Sequence, residues 1–340
     1  MDPAPRSLRV AVRAELAAPA PRGAQAFVEP IRRRHGHAVA ALLFYGSCLR
    51  RRSEEGVLDF YVVVDAYRPA YGLRPEPDKS EHARRARLRP ALLAAANALL
   101  PPNVFYLEVD SGAGTLRAKY AVMSRRDFRR AAGPGAWQPR VWARFAQPCR
   151  LVWARDAATR DEVVEAVASA TTTTLEWAVL WASDRSGMAS AEPAALLAGA
   201  LGETYRAELR GEQSETIASL ATAAAADRTD ILEAALETLQ AQGRLERFRA
   251  SDGAPRARIE PARVRRARAR WRVQRPAAKL LAAAGLLKTA LTFDDWVGYV
   301  LWKLERHSGT PIEVSDRQRR HPFLYGWPVL LRLLRAGVLR

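Results

Sequence analysis

The sequence predicts an α/β protein in three parts: an α/β domain over residues 1–155, a mainly helical domain over 156–260 and a basic, amphipathic region over 261–340. Short apolar runs alternate with helix-like stretches as far as residue 155, and longer Ala/Leu-rich stretches then replace them. Residues 251–340 hold 19 Lys+Arg against 7 Asp+Glu, so +12 of the net charge of +18 lies in the last quarter. That asymmetry indicates a polyanionic partner.

The helices and strands of the first part are predicted from its apolar runs and from the breaks between them. Residues 1–25 are rich in Ala, Pro and Arg, and we expect them to be an irregular leader. The predicted helices are 24–34 and 81–99, the second stopped by Pro-Pro-Asn at 101–103. The predicted strands are 38–45, 57–64, 104–109 and 116–123. Irregular chain is expected around Pro69, Pro75 and Pro77.

The second part is expected to be helical, with breaks at residues 184–187 and at Pro193 and a short strand-like region at 248–259. That order is compatible with a winged-helix-like arrangement. The third part begins with an Arg run at 263–275 and continues as an Ala/Leu segment, an aromatic helix and an apolar tail.

Composition excludes several classes of protein. With 49% hydrophobic and 26% charged residues, the chain is neither disordered nor collagen-like. Its two cysteines, Cys48 and Cys149, make no disulfide framework, which indicates a reduced, cytoplasmic setting. The most apolar window, residues 280–301, is interrupted by three charges, whereas a membrane span needs about 20 mainly apolar residues.

The segment that points to chemistry is Tyr45-Gly46-Ser47, followed after eleven residues by Asp59. A turn with a glycine and a hydroxyl can aim backbone N–H groups at phosphate oxygens. A carboxylate on the next strand can hold Mg²⁺ against the same phosphates. The alternative is an ordinary turn beside a surface Asp, but an Asp within so apolar a strand is costly to bury unless it is paired or metal-bound.

This pattern resembles the polymerase-β-type nucleotidyltransferase superfamily. More narrowly, it is similar to the mitochondrial-type phosphatidate cytidylyltransferases of the translocator assembly and maintenance family. Three further segments resemble that family's motifs: Lys119-Tyr120-Ala121-Val122, Arg144-Phe145-Ala146-Gln147-Pro148 and Thr204-Tyr205 with Glu208 and Arg210. The resemblance spans about residues 40–212 and implies a nucleotidyltransferase domain with a mixed sheet.

The resemblance implies a role for each matched residue. Catalytic roles fall to Asp59, Lys119 and Arg144, and nucleotide contacts to Tyr45, Gly46, Ser47 and Tyr120. Tyr205 and Arg210 would contact the acceptor phosphate. Two residues depart from the patterns: Tyr61 stands where the superfamily has a second Asp, and Cys48 follows the Gly-Ser where the family has Gly. By pattern, Glu108 is the nearest carboxylate that could be a second Mg²⁺ ligand.

The C-terminal region predicts contact with an anionic membrane surface. A continuous apolar stripe runs from Phe293 to Leu304, the same segment carries the aromatic residues Trp296, Tyr299 and Trp302, and residues 328–340 are apolar apart from arginines. A core-facing helix is the alternative. Aromatic side chains at headgroup depth, together with basic residues, favour peripheral binding at the inner face of the membrane.

The resemblance implies a CTP:phosphatidate cytidylyltransferase of phospholipid biosynthesis, which forms CDP-diacylglycerol and pyrophosphate with Mg²⁺. A second hypothesis is a degenerate nucleotidyltransferase fold that binds nucleic acid through the Arg run, and Tyr61 at the Asp position fits it. A third is a nucleotidyltransferase with a non-lipid acceptor. The apolar tail disfavours this third possibility.

Overall fold

The computed structural model describes residues 6–73, 81–112, 114–207, 222, 224–292 and 315. The predicted α/β class is confirmed by a five-stranded mixed sheet with helices on both faces. Four predicted strands are confirmed, and a fifth was not predicted: β1 (Val39–Tyr45), β2 (Val57–Val64), β3 (Asn103–Asp110), β4 (Thr115–Ser124) and β5 (Cys149–Ala154).

The helices of this part are mostly short. The predicted helix at 24–34 is two helices, and the predicted helix at 81–99 is confirmed as one. In chain order they are α1 (Arg6–Ala17), α2 (Arg22–Gln25), α3 (Val28–His35), α4 (Ser47–Arg51), α5 (Tyr67–Ala70), α6 (Glu81–Leu99), α7 (Arg125–Ala132) and α8 (Arg140–Phe145).

The strand order is β3-β4-β2-β1-β5. Strands β2 and β4 are parallel, and the other neighbouring pairs are antiparallel. Strand β2 therefore has β1 on one side and β4 on the other, which sets residues from three distant segments side by side.

The sheet buries both faces, which explains why β1 and β2 are apolar almost throughout. Leu43, Tyr61 and Met123 belong to a core shared with α1, α7, α8 and α9 (Ala157–Ala182). Phe44 and Phe60, on alternate positions, belong to the core of the opposite face. Because side chains alternate along a strand, Asp59 faces the same side as Tyr61.

The N-terminal segment is not an irregular leader, as the sequence had suggested. Leu8, Val12 and Leu16 are spaced by four residues on α1, and each is at most 2% exposed. The helix packs against α9 and β5. The first helix is thus part of the main core.

Beyond residue 155 the part of the chain that the structure describes is mainly helical, as predicted. Helix α9 begins after Asp156, whose side chain accepts a hydrogen bond of 2.7 Å from the Thr159 N–H and so caps the helix. The remaining elements are β6 (Met188–Ser190), α10 (Pro193–Ala207), α11 (Thr229–Ala241), β7 (Glu246–Arg249), β8 (Pro255–Arg258) and α12 (Pro261–Thr292).

Strands β6, β8 and β7 form a second, antiparallel sheet in that order. Helix α12 joins the Arg run and the Ala/Leu segment into one helix. The large core continues from the first sheet into α9, α10, α11 and α12. Across the described ranges, no helix has the length and apolar character that crossing a membrane requires. The predicted aromatic helix and apolar tail, which carry Trp296, Tyr299 and Trp302, lie outside the described residues.

Candidate active site

One row of residues crosses the first sheet from edge to edge. Tyr45 pairs with Cys149 on one side and with Asp59 on the other, Asp59 pairs with Lys119, and Lys119 pairs with Tyr106. Neighbouring strands are about 4.8 Å apart, and paired residues point to the same face. Three predicted site residues, Tyr45, Asp59 and Lys119, are therefore brought together.

Asp59 and Lys119 form an ion pair at the centre of this row. Nζ of Lys119 lies 3.1 Å from Oδ1 of Asp59, and the two side chains are 38% and 14% exposed respectively. Oδ1 is buried and makes this ion pair without a well-aligned hydrogen bond. The carboxylate is thus held in a half-enclosed position next to a fixed positive charge.

Gly46 follows β1 at a point where any side chain would be both strained and crowded. Its φ of +94° and ψ of −162° belong to a region that is essentially restricted to glycine. A β-carbon at this position would lie 2.5 Å from Oδ2 of Asp59. The backbone of the Gly-Ser turn is therefore in close contact with the carboxylate.

Ser47 begins α4 directly after this turn, and its side chain is partly exposed. The first N–H groups of a helix have no acceptor within the helix. The turn therefore leaves backbone donors at the start of α4, directly after the glycine that approaches Asp59.

Arg144 reaches the same row from the last turn of α8. Its Nη1 donates a hydrogen bond of 3.2 Å to the Tyr45 hydroxyl, and its guanidinium lies 5.1 Å from the centre of the Tyr45 ring. Burial raises the pKa of Tyr45, and the positive charge of Arg144 partly opposes that rise. Tyr45 therefore stays neutral, and it fixes the Arg144 guanidinium at the strand position that pairs with Asp59.

A second arginine, which the sequence did not single out, links α4 to the end of α8. Nη1 of Arg50 donates a hydrogen bond of 3.3 Å to Oε1 of Gln147, and Nε2 of Gln147 donates one of 3.2 Å to the carbonyl of Ala143. The segment from Arg144 to Gln147 is thereby tied to the helix that follows the Gly-Ser turn. Arg50 lies one helical turn after Ser47, and that spacing could have identified it.

A Mg²⁺ ion at this site would be held by Asp59 together with a substrate. Within the described ranges, no group of three or more His, Cys, Asp or Glu side chains is arranged to hold a metal ion. Mg²⁺ is often held by one or two carboxylates together with substrate phosphates and water. Asp59, with its enclosed carboxylate, fits a Mg²⁺ ion that binds together with a nucleotide.

Tyr61, which stands where the resemblance would place a second Asp, belongs to an aromatic cluster. Tyr61 is 2% exposed, and its ring lies 5.1 Å from that of Phe145 and 5.6 Å from that of Tyr45. An unpaired carboxylate at position 61 would be unfavourable in this aromatic surrounding.

Glu108 is not brought next to Asp59. It lies on β3, two strands from β2 and therefore about 10 Å away across the sheet. Its Oε1 accepts hydrogen bonds from Nε of Arg117 at 3.0 Å and from the Tyr106 hydroxyl at 2.7 Å. This arrangement does not support the prediction of Glu108 as the second Mg²⁺ ligand.

Tyr120 lies on the opposite face of the sheet from Asp59. It is fully buried, stacks on Phe105 with ring centres 5.4 Å apart, and is 3.3 Å from Nε2 of His35. This arrangement does not support the predicted nucleotide contact of Tyr120. Side chains alternate along β4, so Lys119 and Tyr120 cannot line the same site.

Of the two residues predicted to contact the acceptor phosphate, Tyr205 lies within the described residues. Tyr205 lies on α10, is 8% exposed and belongs to the large core, in which α10 contacts α8. The predicted Arg210 lies outside the described residues.

A scan against models of known protein families gives no match, and no curated protein matches the sequence.

Proposed function

We propose that the protein is a nucleotidyltransferase whose active site is formed by the Gly46-Ser47 turn, Asp59, Lys119 and Arg144. The observation that carries the proposal is the contact between Gly46 and Asp59, with Lys119 paired to the same carboxylate. A backbone turn rich in donors, a carboxylate and two cations are the groups that phosphoryl chemistry needs within one site.

The proposed reaction is cytidylyl transfer from CTP to phosphatidate. A phosphate oxygen of phosphatidate attacks the α-phosphorus of CTP, the bond from that phosphorus to the bridging oxygen breaks, and pyrophosphate leaves with the bond's electron pair. Because the nucleophile is already an anion, the site needs no general base for the attack. Catalysis then depends on positioning the two phosphates and on offsetting their charge.

Each residue of the proposed site has its own role in this reaction. The backbone N–H groups at Gly46 and Ser47 bind the triphosphate, and Lys119 and Arg144 offset the charge that develops on pyrophosphate. Tyr45 positions Arg144 through its hydroxyl. Asp59 would hold Mg²⁺, which supplies charge neutralisation at the phosphates when bound.

The choice of cytosine base and lipid acceptor rests on the sequence resemblance. We propose peripheral association with an anionic membrane, for which the basic C-terminal quarter gives support.

A second candidate function is nucleic-acid binding by a catalytically inactive protein. Among the described residues, β6 follows α9, α10 and α11 lie between β6 and β7, and the strand order β6-β8-β7 is that of a winged helix. The Arg-rich α12 supplies positive charge. A gel-shift titration with duplex DNA and with RNA, compared with pelleting on anionic vesicles, distinguishes the two candidates.

Pyrophosphate release tests the proposed reaction. The purified protein should release pyrophosphate with CTP, Mg²⁺ and phosphatidate together, and much less with ATP or without the lipid. Asp59→Asn should abolish this turnover, whereas Glu108→Gln, a matched loss of one carboxylate on the same sheet, should retain it. Normal turnover in Asp59→Asn would refute the site.

A further inference from the structure

A cavity of about 300 Å³ lies away from the Gly46–Asp59 site, where α12 packs against α9. We call it the arginine pocket. Four arginines line it, along with one carboxylate among its described lining residues and an apolar wall that includes an indole: Arg244, Arg263, Arg266, Arg270, Glu176 and Trp177.

Two of these arginines are fixed by the one carboxylate. Oε1 of Glu176 is 2.5 Å from Nη2 of Arg244 and 2.6 Å from Nη2 of Arg263, and Glu176 is only 8% exposed. Arg263 also donates a hydrogen bond to the carbonyl of Arg244. These contacts hold two guanidinium groups in set directions, which lowers the entropic cost of binding an anion between them.

The third arginine, Arg270, is held by two other contacts. Nη2 of Arg270 donates a hydrogen bond of 3.0 Å to the carbonyl of Ala136, and its guanidinium lies 5.5 Å from the centre of the Trp177 ring. It is therefore also in a defined orientation.

The fourth, Arg266, stands at the rim. Its side chain is 74% exposed, and its ion pair with Glu260 is long at 3.9 Å between two largely exposed groups. Such pairs contribute little to stability, so Arg266 can turn toward a ligand at small cost.

The charge of the pocket selects the class of ligand. Four guanidinium groups against one carboxylate leave a net charge of +3 around the cavity. Guanidinium binds phosphate oxygens in a bidentate manner, and a phosphate monoester, a dianion near neutral pH, offsets more of this charge than a carboxylate does. The volume is at the small end of ligand sites, which suits one phosphate group with a short organic part against the Trp177 wall.

We propose that the arginine pocket is a second binding site, which takes a phosphate monoester. The monoester can be a soluble compound or the headgroup of a lipid. The proposal does not depend on nucleotidyl transfer at Asp59, because its evidence lies entirely in α9, α12 and the residues between them.

Isothermal titration of the full chain with inorganic phosphate, without nucleotide or Mg²⁺, tests the proposal. Arg266→Gln removes one pocket cation from an exposed position, so the fold should not change. Arg265→Gln is the matched control, because Arg265 is an exposed neighbour on the same helix that does not line the pocket. Arg266→Gln should raise the Kd about tenfold, as expected for loss of one charge-assisted contact, and Arg265→Gln should leave it nearly unchanged.

Vesicle pelleting assigns the source of the monoester. If Arg266→Gln weakens phosphate binding and also weakens pelleting on phosphatidylcholine vesicles that contain phosphatidate, the headgroup is the ligand. If it weakens phosphate binding only, the ligand is a soluble phosphate compound. Either result supports the pocket. Phosphate binding that does not saturate, or that is equal in the two variants, would overturn the proposal.

Discussion

Gly46 and Asp59 approach so closely that a β-carbon at position 46 would lie 2.5 Å from Oδ2 of the aspartate. The two residues are separated by a helix and a loop in the sequence. The antiparallel pairing of β1 with β2 nevertheless places Tyr45 opposite Asp59, so that the turn that follows Tyr45 lies next to the carboxylate. This contact fixes where a phosphate held by the turn would meet an acidic ligand.

Gly46→Ala should therefore abolish turnover and also destabilise the fold. Alanine must adopt a backbone conformation that costs about 1–3 kcal/mol, and its methyl group displaces the Asp59 carboxylate. Urea denaturation and pyrophosphate release measure the two effects.

Gly36→Ala is the matched control. Gly36 has a similar backbone conformation, with φ of +61° and ψ of −151°, but a β-carbon added there would have no atom within 4 Å. The Gly36→Ala variant should lose about as much stability as Gly46→Ala but keep its turnover. Equal loss of turnover in both alanine variants would show that the contact with Asp59 has no catalytic importance.

Lys119→Met should reduce turnover about 100-fold, since removal of one preorganised charge at a developing anion has an effect of that order. Stability should change by no more than about 1 kcal/mol, because the Lys119 side chain is 38% exposed and such a pair is screened by solvent. Arg117→Gln, which removes the cation two residues earlier on the same strand face, should keep near-normal turnover. A fully active Lys119→Met variant would exclude Lys119 from the mechanism.

Tyr45 and Arg144 should act as a unit. Tyr45→Phe removes the oxygen that accepts from Arg144 at 3.2 Å, so kcat/KM should fall about fivefold, corresponding to about 1 kcal/mol for one hydrogen bond. In the Arg144→Gln background the same change should have little further effect. A double-mutant cycle on kcat/KM measures the coupling, and strictly additive effects would argue against positioning of Arg144 by Tyr45.

The predicted part of the site is local in sequence, and the unpredicted part depends on strand pairing. The Gly-Ser turn and Asp59 were identified because a carboxylate interrupts an apolar run. The register that sets Asp59 opposite Lys119 joins segments 60 residues apart, and it follows from packing of the whole sheet. Sequence alone named both residues but gave no reason why they should be neighbours.

Two predictions that the structure does not support could have been avoided from signals in the sequence. Lys119 and Tyr120 are adjacent on one strand, and the two-residue period already implies that they face opposite sides of the sheet. In the N-terminal segment, the spacing of Leu8, Val12 and Leu16 is typical of an amphipathic helix, although the surrounding Ala, Pro and Arg suggested irregular chain.

The N-terminal helix leads to a stability prediction. Nε of Arg228 lies 2.8 Å from Oε2 of Glu15, and both side chains are buried. Arg228 also donates a hydrogen bond to the carbonyl of Phe145. Arg228→Met should cost about 3–5 kcal/mol in the free energy of unfolding, because Glu15 is left as an unpaired buried charge.

The double variant Glu15→Gln with Arg228→Met should be more stable than Arg228→Met alone, since it removes that charge. Urea denaturation of the two single variants and the double variant measures the difference. If the double variant loses the sum of the two single effects, the pair does not interact as described.

His35 should make the protein sensitive to acid. Its Nδ1 donates to the carbonyl of Ala70 at 2.8 Å, so its Nε2 accepts from the Tyr120 hydroxyl, and the buried ring is neutral. Burial lowers the pKa of His35 from 6.5 to about 4, and the charge of Arg34 contributes to that decrease. Between these values the unfolded chain binds the proton more tightly, so stability should fall as pH drops from about 6.5 to 4, by about 3 kcal/mol in all.

The control His35→Gln keeps a donor and an acceptor but does not titrate, so urea denaturation at pH 7 and pH 4.5 should show a smaller loss for the variant. An identical loss in both proteins would mean that His35 is not the titrating group, and that carboxylates account for the acid sensitivity.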